Sequence, residues 1–393
     1  MTPDRRSTAR AGMLRPSTGE GAHRVTYVEL FFDLVFVFAV TQLSHILIHE
    51  QTGVALLHTV MLTMVVWFAW VYTTWAMSWL DPERAPVGAL LFVMMALGLL
   101  IAATIPEAFG DLALPFALAL VAFSLVRSIF AVIAFRRTHP GHSINFVRIS
   151  LWHAGTGALW IVGALVAQDA RLWVWLAALV IDYIGPRARF WVPGLGRSPV
   201  STWNVSGEHM AERVSLFVII VLGESIVVTG STFAEVGIGW LNGTAFLAAF
   251  VGAVLMFLLY FRHNQREGSD YISGAADRGM IAQTAYTYIP LLLVFGVVAS
   301  AVADGLILRD PTGGGSVWLS GLLCGGAALY VLGNALFGRS TGRPWLTVHL
   351  IGVAVLVALM ALTPVVSPLV LSWIVNAALL GIVLSETRRH RHP

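Results

Sequence analysis

Residues 27–49, YVELFFDLVFVFAVTQLSHILIH, make a run long enough to cross a bilayer, yet Glu29, Asp33 and His45 interrupt it. A spanning helix needs about 20 mostly apolar residues. An ionisable group inside one is costly unless it is paired, faces the bundle interior or serves a function. A second run, EHMAERVSLFVIIVLGESIVV from Glu208 to Val228, repeats the design with His209, Glu212, Arg213 and Glu224. These charged runs read as the opening helices of two matched halves.

The rest of the chain agrees. It is 57% hydrophobic and only 11% charged, against about 25% charged in soluble domains. Mean hydropathy is +0.79, which points to a multi-span integral membrane protein. The expected fold is therefore all-α, a polytopic transmembrane helix bundle of about 12 spans arranged as two parallel six-helix repeats. The spans fall near 27–49, 54–80, 86–106, 112–135, 146–168, 171–186, 207–232, 241–261, 281–304, 316–338, 345–362 and 366–386. Around them lie a disordered cytoplasmic tail (1–24), an N-terminal half (25–186), a cytoplasmic linker (187–205), a C-terminal half (206–386) and a basic tail (387–393). The linker is rich in Pro, Gly, Ser and Arg, with Phe190 and Trp191 expected at the membrane interface.

Every one of the 24 basic residues is arginine. With both termini cytoplasmic, twenty of them fall on that side, Arg171 and Arg309 on the other, and Arg127 and Arg213 inside spans. Such a bias is what the positive-inside rule requires. It also attributes the pI near 9.3 to topology, so no nucleic-acid partner is expected. An arginine-biased genome explains the missing lysine, and its absence excludes a lysine Schiff base, a P-loop lysine and a lysine nucleophile. The lone Cys324 excludes an intrachain disulfide, a Cys-based zinc site and a redox pair. No His-Glu-x-x-His, Walker or Gly-x-Ser-x-Gly motif occurs. His209-x-x-Glu212 reverses the Glu-x-x-His order of di-metal bundles and adjoins Arg213. Neither a metal nor a cofactor is expected.

Aligning the two runs at an offset of 180 sets Glu29 against His209, Asp33 against Arg213 and Ser44 against Glu224. These positions lie at about 0°, 40° and 60° around a helix, on one face. Asp33 and Arg213 have opposite charges and could pair across a pseudo-two-fold axis, relieving two burial penalties at once. Plainer readings accompany each residue. Thr26-x-x-Glu29 is a capping box, and Glu208 and Glu212 suit a first helical turn. Asp33 lies beyond capping reach. Glu224 is about 16 Å of rise beyond Arg213 and is a candidate protonatable or ligand-binding group, with Gly223 leaving room for a neighbouring backbone. Arg127 could snorkel or pair with Asp182. His45 could face water, and His209 is expected to be neutral and hydrogen-bonded. The substrate- or proton-binding candidates are thus Asp33, Glu224, Glu29, Glu212, His209, Asp182 and His45. Structural ion-pair candidates are Asp33, Arg213, Arg127 and Asp182. Trp67, Trp70, Tyr72, Trp75 and Trp79 crowd the second span as packing residues or the wall of an aromatic cavity.

VELFFDLVFVFAVTQLSH and HMAERVSLFVIIVLGESIV resemble the two hallmark segments of the bacterial low temperature requirement protein A (LtrA) family. AYTYIP, residues 285–290, resembles a third but lacks the histidine expected near Pro290. The resemblance implies that Glu29, Phe31, Phe32, Asp33, His45, Glu212, Arg213, Gly223 and Glu224 carry family motifs, and that the chain sits in a bacterial cytoplasmic membrane. The family name records a growth requirement in the cold and implies no reaction. An ion-coupled, proton-driven secondary transporter or lipid-handling permease suits parallel halves with buried charge and no ATP-binding motif. One alternative is a membrane sensor or scaffold whose buried ion pairs are structural. Another is an intramembrane acid–base enzyme on a lipid, using Asp33, His209 and Glu224. Expected partners are membrane lipids and a proton or small solute; oligomeric state is left open.

Overall fold

A computed structural model describes residues 13–15, 25–199, 202–203, 207–261, 278–343, 345 and 347–391. These residues are helical almost throughout, with two isolated β-bridges and no strand. The order is α1 Tyr27–His49, α2 Gly53–Met77, α3 Ala85–Thr104, α4 Ala113–Phe135, α5 Pro140–Leu165, α6 Gln168–Arg187, α7 Gly207–Val236 and α8 Trp240–Phe261. Then come α9 Arg278–Gln283, a π-helical turn Thr284–Tyr288, α10 Pro290–Arg309, α11 Val317–Ser340, α12 Thr347–Leu359 and α13 Pro368–Arg391. Among the described residues nine helical spans are long and apolar enough to cross a membrane, α9 to α10 counting as one, Ile281–Arg309. Of the twelve expected spans, those matching α5, α6 and α12 fall outside that set. The fold is an all-α membrane helix bundle.

The helices divide into two compact units. One holds Met1–Gln42 and Met61–Met210, the other Leu43–Val60 and Ala211–Pro393. Within the first, a core of Phe32, Trp67, Trp70, Phe116, Phe123 and Trp175 is almost fully buried. Phe32 stacks on Phe123 with ring centroids 6.4 Å apart, and Trp175 packs against Phe116 at 5.5 Å. Close helix approach there depends on small residues, as membrane packing generally does. A side chain at Gly163 would collide with the Trp175 ring.

In the second unit α10 and α11 pack most tightly. A Cβ at Gly296 would meet the Gly326 carbonyl at 2.7 Å and Tyr330 Cβ at 2.8 Å. Tyr330 donates its hydroxyl to the Met256 carbonyl at 2.8 Å, tying α11 to α8. Ser316 caps α11, its Oγ accepting from Leu319 N at 3.1 Å. Just before α10 the chain winds as a π turn and meets Pro290, which has no amide hydrogen to give back to that turn.

Several expectations change. Helix α5 begins at Pro140, not near residue 146, because proline suits the first helical position. Arg148, counted with the loop arginines, is therefore helical and buried. The tail expected over 1–24 is not loose at Met13–Arg15. Leu14 forms a bridge with Leu80, and Asp81 N donates to the Met13 carbonyl at 2.9 Å.

The linker is likewise structured through Trp203, apart from the undescribed 200–201. Arg189 and Phe190 take left-handed backbone conformations, φ 54° and 48°. Non-glycine residues adopt these only under tertiary constraint. Phe190, expected at the interface, is buried against Tyr72, Trp152 and Trp203, while Trp191 is exposed. Trp152 Nε1 donates to the Trp191 carbonyl at 2.9 Å, and Arg148 to that of Leu195 at 2.6 Å.

Candidate functional site

Helical spacing builds a polar cavity inside the first unit. Val65, Ala69 and Tyr72 of α2, Leu120, Ser124 and Arg127 of α4, and His153, Thr156 and Trp160 of α5 each recur every three or four residues, so each set lines one helix face. Leu179 and Asp182 of α6 complete the wall. Gly157 lets α4 approach, since a Cβ there would stand 3.0 Å from Val121 Cγ1. The cavity measures about 30 Å³, room for one or two water molecules.

Arg127 does not snorkel. It is 2% exposed, and its Nη1 donates to the Ala69 carbonyl at 3.1 Å and to Thr73 Oγ1 at 3.2 Å. Its guanidinium carbon lies 5.2 Å from the centre of the Tyr72 ring and 5.8 Å from that of Phe123, within cation–π range. Asp182 accepts from Trp160 Nε1 at 3.2 Å. The two charges share a cavity wall instead of joining in the expected ion pair. On the same lining, buried His153 holds its ring edge-on to Tyr72 at 5.3 Å, and its Nδ1 has no hydrogen-bond partner. A carboxylate, a guanidinium and an imidazole with a free nitrogen around water-sized space can hold and pass a proton. They could also bind a small polar solute.

A second cluster in this unit joins the first residues of α1 and α7. Glu29 closes the expected capping box, accepting from Thr26 N at 2.9 Å and Thr26 Oγ1 at 3.0 Å. The same Oε2 takes Arg15 Nη2 at 2.8 Å, and Oε1 takes His209 Nε2 at 2.9 Å. With Nε2 donating to Glu29, the approach of Arg15 Nη2 at 3.2 Å brings two donors together and is not a bond. His209 Nδ1 faces the Ser78 hydroxyl at 3.3 Å. Arg15 Nε also donates to the Met77 and Leu80 carbonyls at 2.7 and 3.2 Å. All three side chains are buried. The geometry is that of a closed lock: the Arg15 and Glu29 charges answer each other and His209 is hydrogen-bonded at both ring nitrogens.

The other candidates are placed as follows. Asp33, fully buried, accepts from Trp70 Nε1 at 2.8 Å. In the second unit Arg213 and Glu224 are buried on α7, Glu212 is half-buried, and His45 is exposed near His49. Gly223 has open space where a backbone approach was expected. Among the described residues no cluster of three His, Cys, Asp or Glu could hold a metal ion.

Sequence reasoning missed Arg15, since a polar tail gives no sign of docking. It also missed His153, the Asp304 carboxylate of α10, and a buried His349–Glu386 pair at 3.0 Å linking α12 to α13. A histidine or acid in an apolar run was the available signal for Asp304 and His153.

A family model described as bacterial low temperature requirement A protein (LtrA) matches residues 24–384. The chain is 36% identical over 374 residues to the uncharacterized protein RA0937 of Rhizobium meliloti (strain 1021), covering 94% of this chain and 90% of that one. No solved structure matches.

Proposed function

We propose, for a chain that belongs to the bacterial low temperature requirement A (LtrA) family, that this integral membrane protein is a proton-coupled secondary transporter. The observation that carries the reading is the cavity in the first unit, where Asp182, Arg127 and His153 surround water-sized space. A half-buried carboxylate on a cavity wall changes charge state readily when its partners move, and polar cavities bounded by helix faces are where transporters hold coupling ions. The cavity is far too small for a lipid, which favours a proton or small solute over lipid handling. The π turn before Pro290 supports the reading, because such turns mark helices under functional strain. The chain lies in the bacterial cytoplasmic membrane with both termini cytoplasmic, on the strength of its arginine distribution.

The test is reconstitution into liposomes loaded with a pH-sensitive dye. An imposed potential should acidify or alkalise the lumen in a protein-dependent way, and Asp182→Asn should reduce that rate at least tenfold. Wild-type vesicles as tight to protons as empty ones, across a panel of small solutes, would remove the proposal.

A second reading draws on a specific observation. The Arg15–Glu29–His209 cluster is closed, which suits a sensor or scaffold whose ion pairs fix helix register. The intramembrane-enzyme reading asks for Asp33, His209 and Glu224 in one polar pocket. None of the three lines the first unit's cavity or the second unit's polar cavity of about 20 Å³, so that reading has less support.

A further inference from the structure

The second unit encloses another polar cavity, of about 20 Å³, enough for a single water-sized occupant. Two i, i+4 pairs face it, Ser300 with Asp304 from α10 and Ser372 with Asn376 from α13, and Ser225 of α7 joins them. The oxygens are poised for something none of these residues supplies. Ser300 Oγ is buried without a hydrogen-bond partner. Ser225 gives its proton to the Leu222 carbonyl at 2.7 Å, leaving its lone pairs free. Asn376 gives its amide N–H to the Ala248 carbonyl at 2.8 Å, which turns Oδ1 the other way, toward Gly252. A Cβ at Gly252 would stand 3.1 Å from that oxygen, so glycine keeps the space open. Asp304 forms no hydrogen bond or ion pair with any described residue.

We infer that this cavity is a sodium site, in which Asp304 supplies the charge and Ser225, Ser300, Ser372 and Asn376 supply neutral oxygens. Four considerations select the ligand. All the available donors are hard oxygens, which suit alkali and alkaline-earth cations over transition metals. A single carboxylate balances one positive charge, and a lone half-buried carboxylate inside a helix bundle otherwise carries a desolvation cost. A proton would need only the carboxylate and would leave the surrounding hydroxyls without purpose. The cavity's volume suits a small ion stripped of its water. The site goes beyond the proposed proton coupling and does not depend on it.

The experiment uses the purified full-length protein in detergent, with no gradient and no transport step. Thermal unfolding is followed in sodium, potassium or choline chloride at matched ionic strength. Binding to the folded state alone raises the midpoint with ligand concentration. Sodium should raise it saturably and choline should not, with potassium weaker than sodium. Asp304→Asn should abolish the sodium-specific shift, and Ser300→Ala should move its half-saturation at least threefold higher. Asp182→Asn, in the other unit, should leave it unchanged. If Asp304→Asn does not fold, Ser300→Ala and Ser372→Ala with equilibrium binding of radioactive sodium decide the matter. Equal shifts in sodium and choline, a potassium response equal to or above that of sodium, or undiminished binding in the Ser variants overturns the assignment. Because binding is read without flux, its failure is separable from failure of the transport reading.

Discussion

Glu29 carries three kinds of bond on one carboxylate: a helix cap, an ion pair to Arg15 and a hydrogen bond from His209. Removing the acid would strand a buried guanidinium, and breaking a buried pair from one side costs about 3–5 kcal/mol. Glu29→Ala should therefore lower the stability of the purified protein by that amount in denaturant unfolding, with Ser78→Ala changing it by about 1 kcal/mol. A loss under 1 kcal/mol for Glu29→Ala would mean that Arg15 finds other acceptors. Part of this was legible in the sequence. The offset of 180 set Glu29 opposite His209, and the two side chains do meet. The capping box was visible as Thr26-x-x-Glu29. Arg15 was not, because docking of a polar segment depends on two backbone hydrogen bonds and a bridge to the turn after α2, which leave no trace in composition. Arg127 was readable as an inward charge; its actual partners, a carbonyl, the Thr73 hydroxyl and two aromatic faces, follow from helix rotation that spacing alone does not define.

Among elements, α10 and α11 depend on glycine in a way that can be measured. Gly296→Ala would drive a methyl into the Gly326 carbonyl and Tyr330, and overpacking of this kind costs about 1–3 kcal/mol. Gly325, with nothing near its missing Cβ, is the matched control. Gly325→Ala should be neutral or stabilising by up to about 1 kcal/mol, and equal losses at both sites would deny the close approach. Helix existence was the most readable feature, since hydrophobic runs of spanning length constrain the chain strongly. The ends were less so. Pro140 reads equally well as a loop residue or as the first residue of α5, and the π turn at Thr284–Tyr288 has no signature beyond the following proline.

At the scale of the whole molecule, the single Cys324 is buried and makes orientation directly testable. In a Cys324→Ala background, a cysteine added at either terminus should react with an impermeant maleimide only after cells are permeabilised. Labelling of intact cells at either end would reverse the arginine-based orientation. The cavities themselves were beyond sequence reading. Asp182 and Asp304 could be flagged as costly acids, but Tyr72, His153 and Ser300 gain meaning only when several helices present their faces together. The connection after α6 has a practical outcome. With Phe190 seated under Trp152 and Trp203 and two non-glycine residues wound left-handed, it is a folded cap, not a tether. Two-fragment co-expression should thus reassemble when the chain is divided after Trp203, and fail when divided at Ala188, where the first fragment would be made without its own lid.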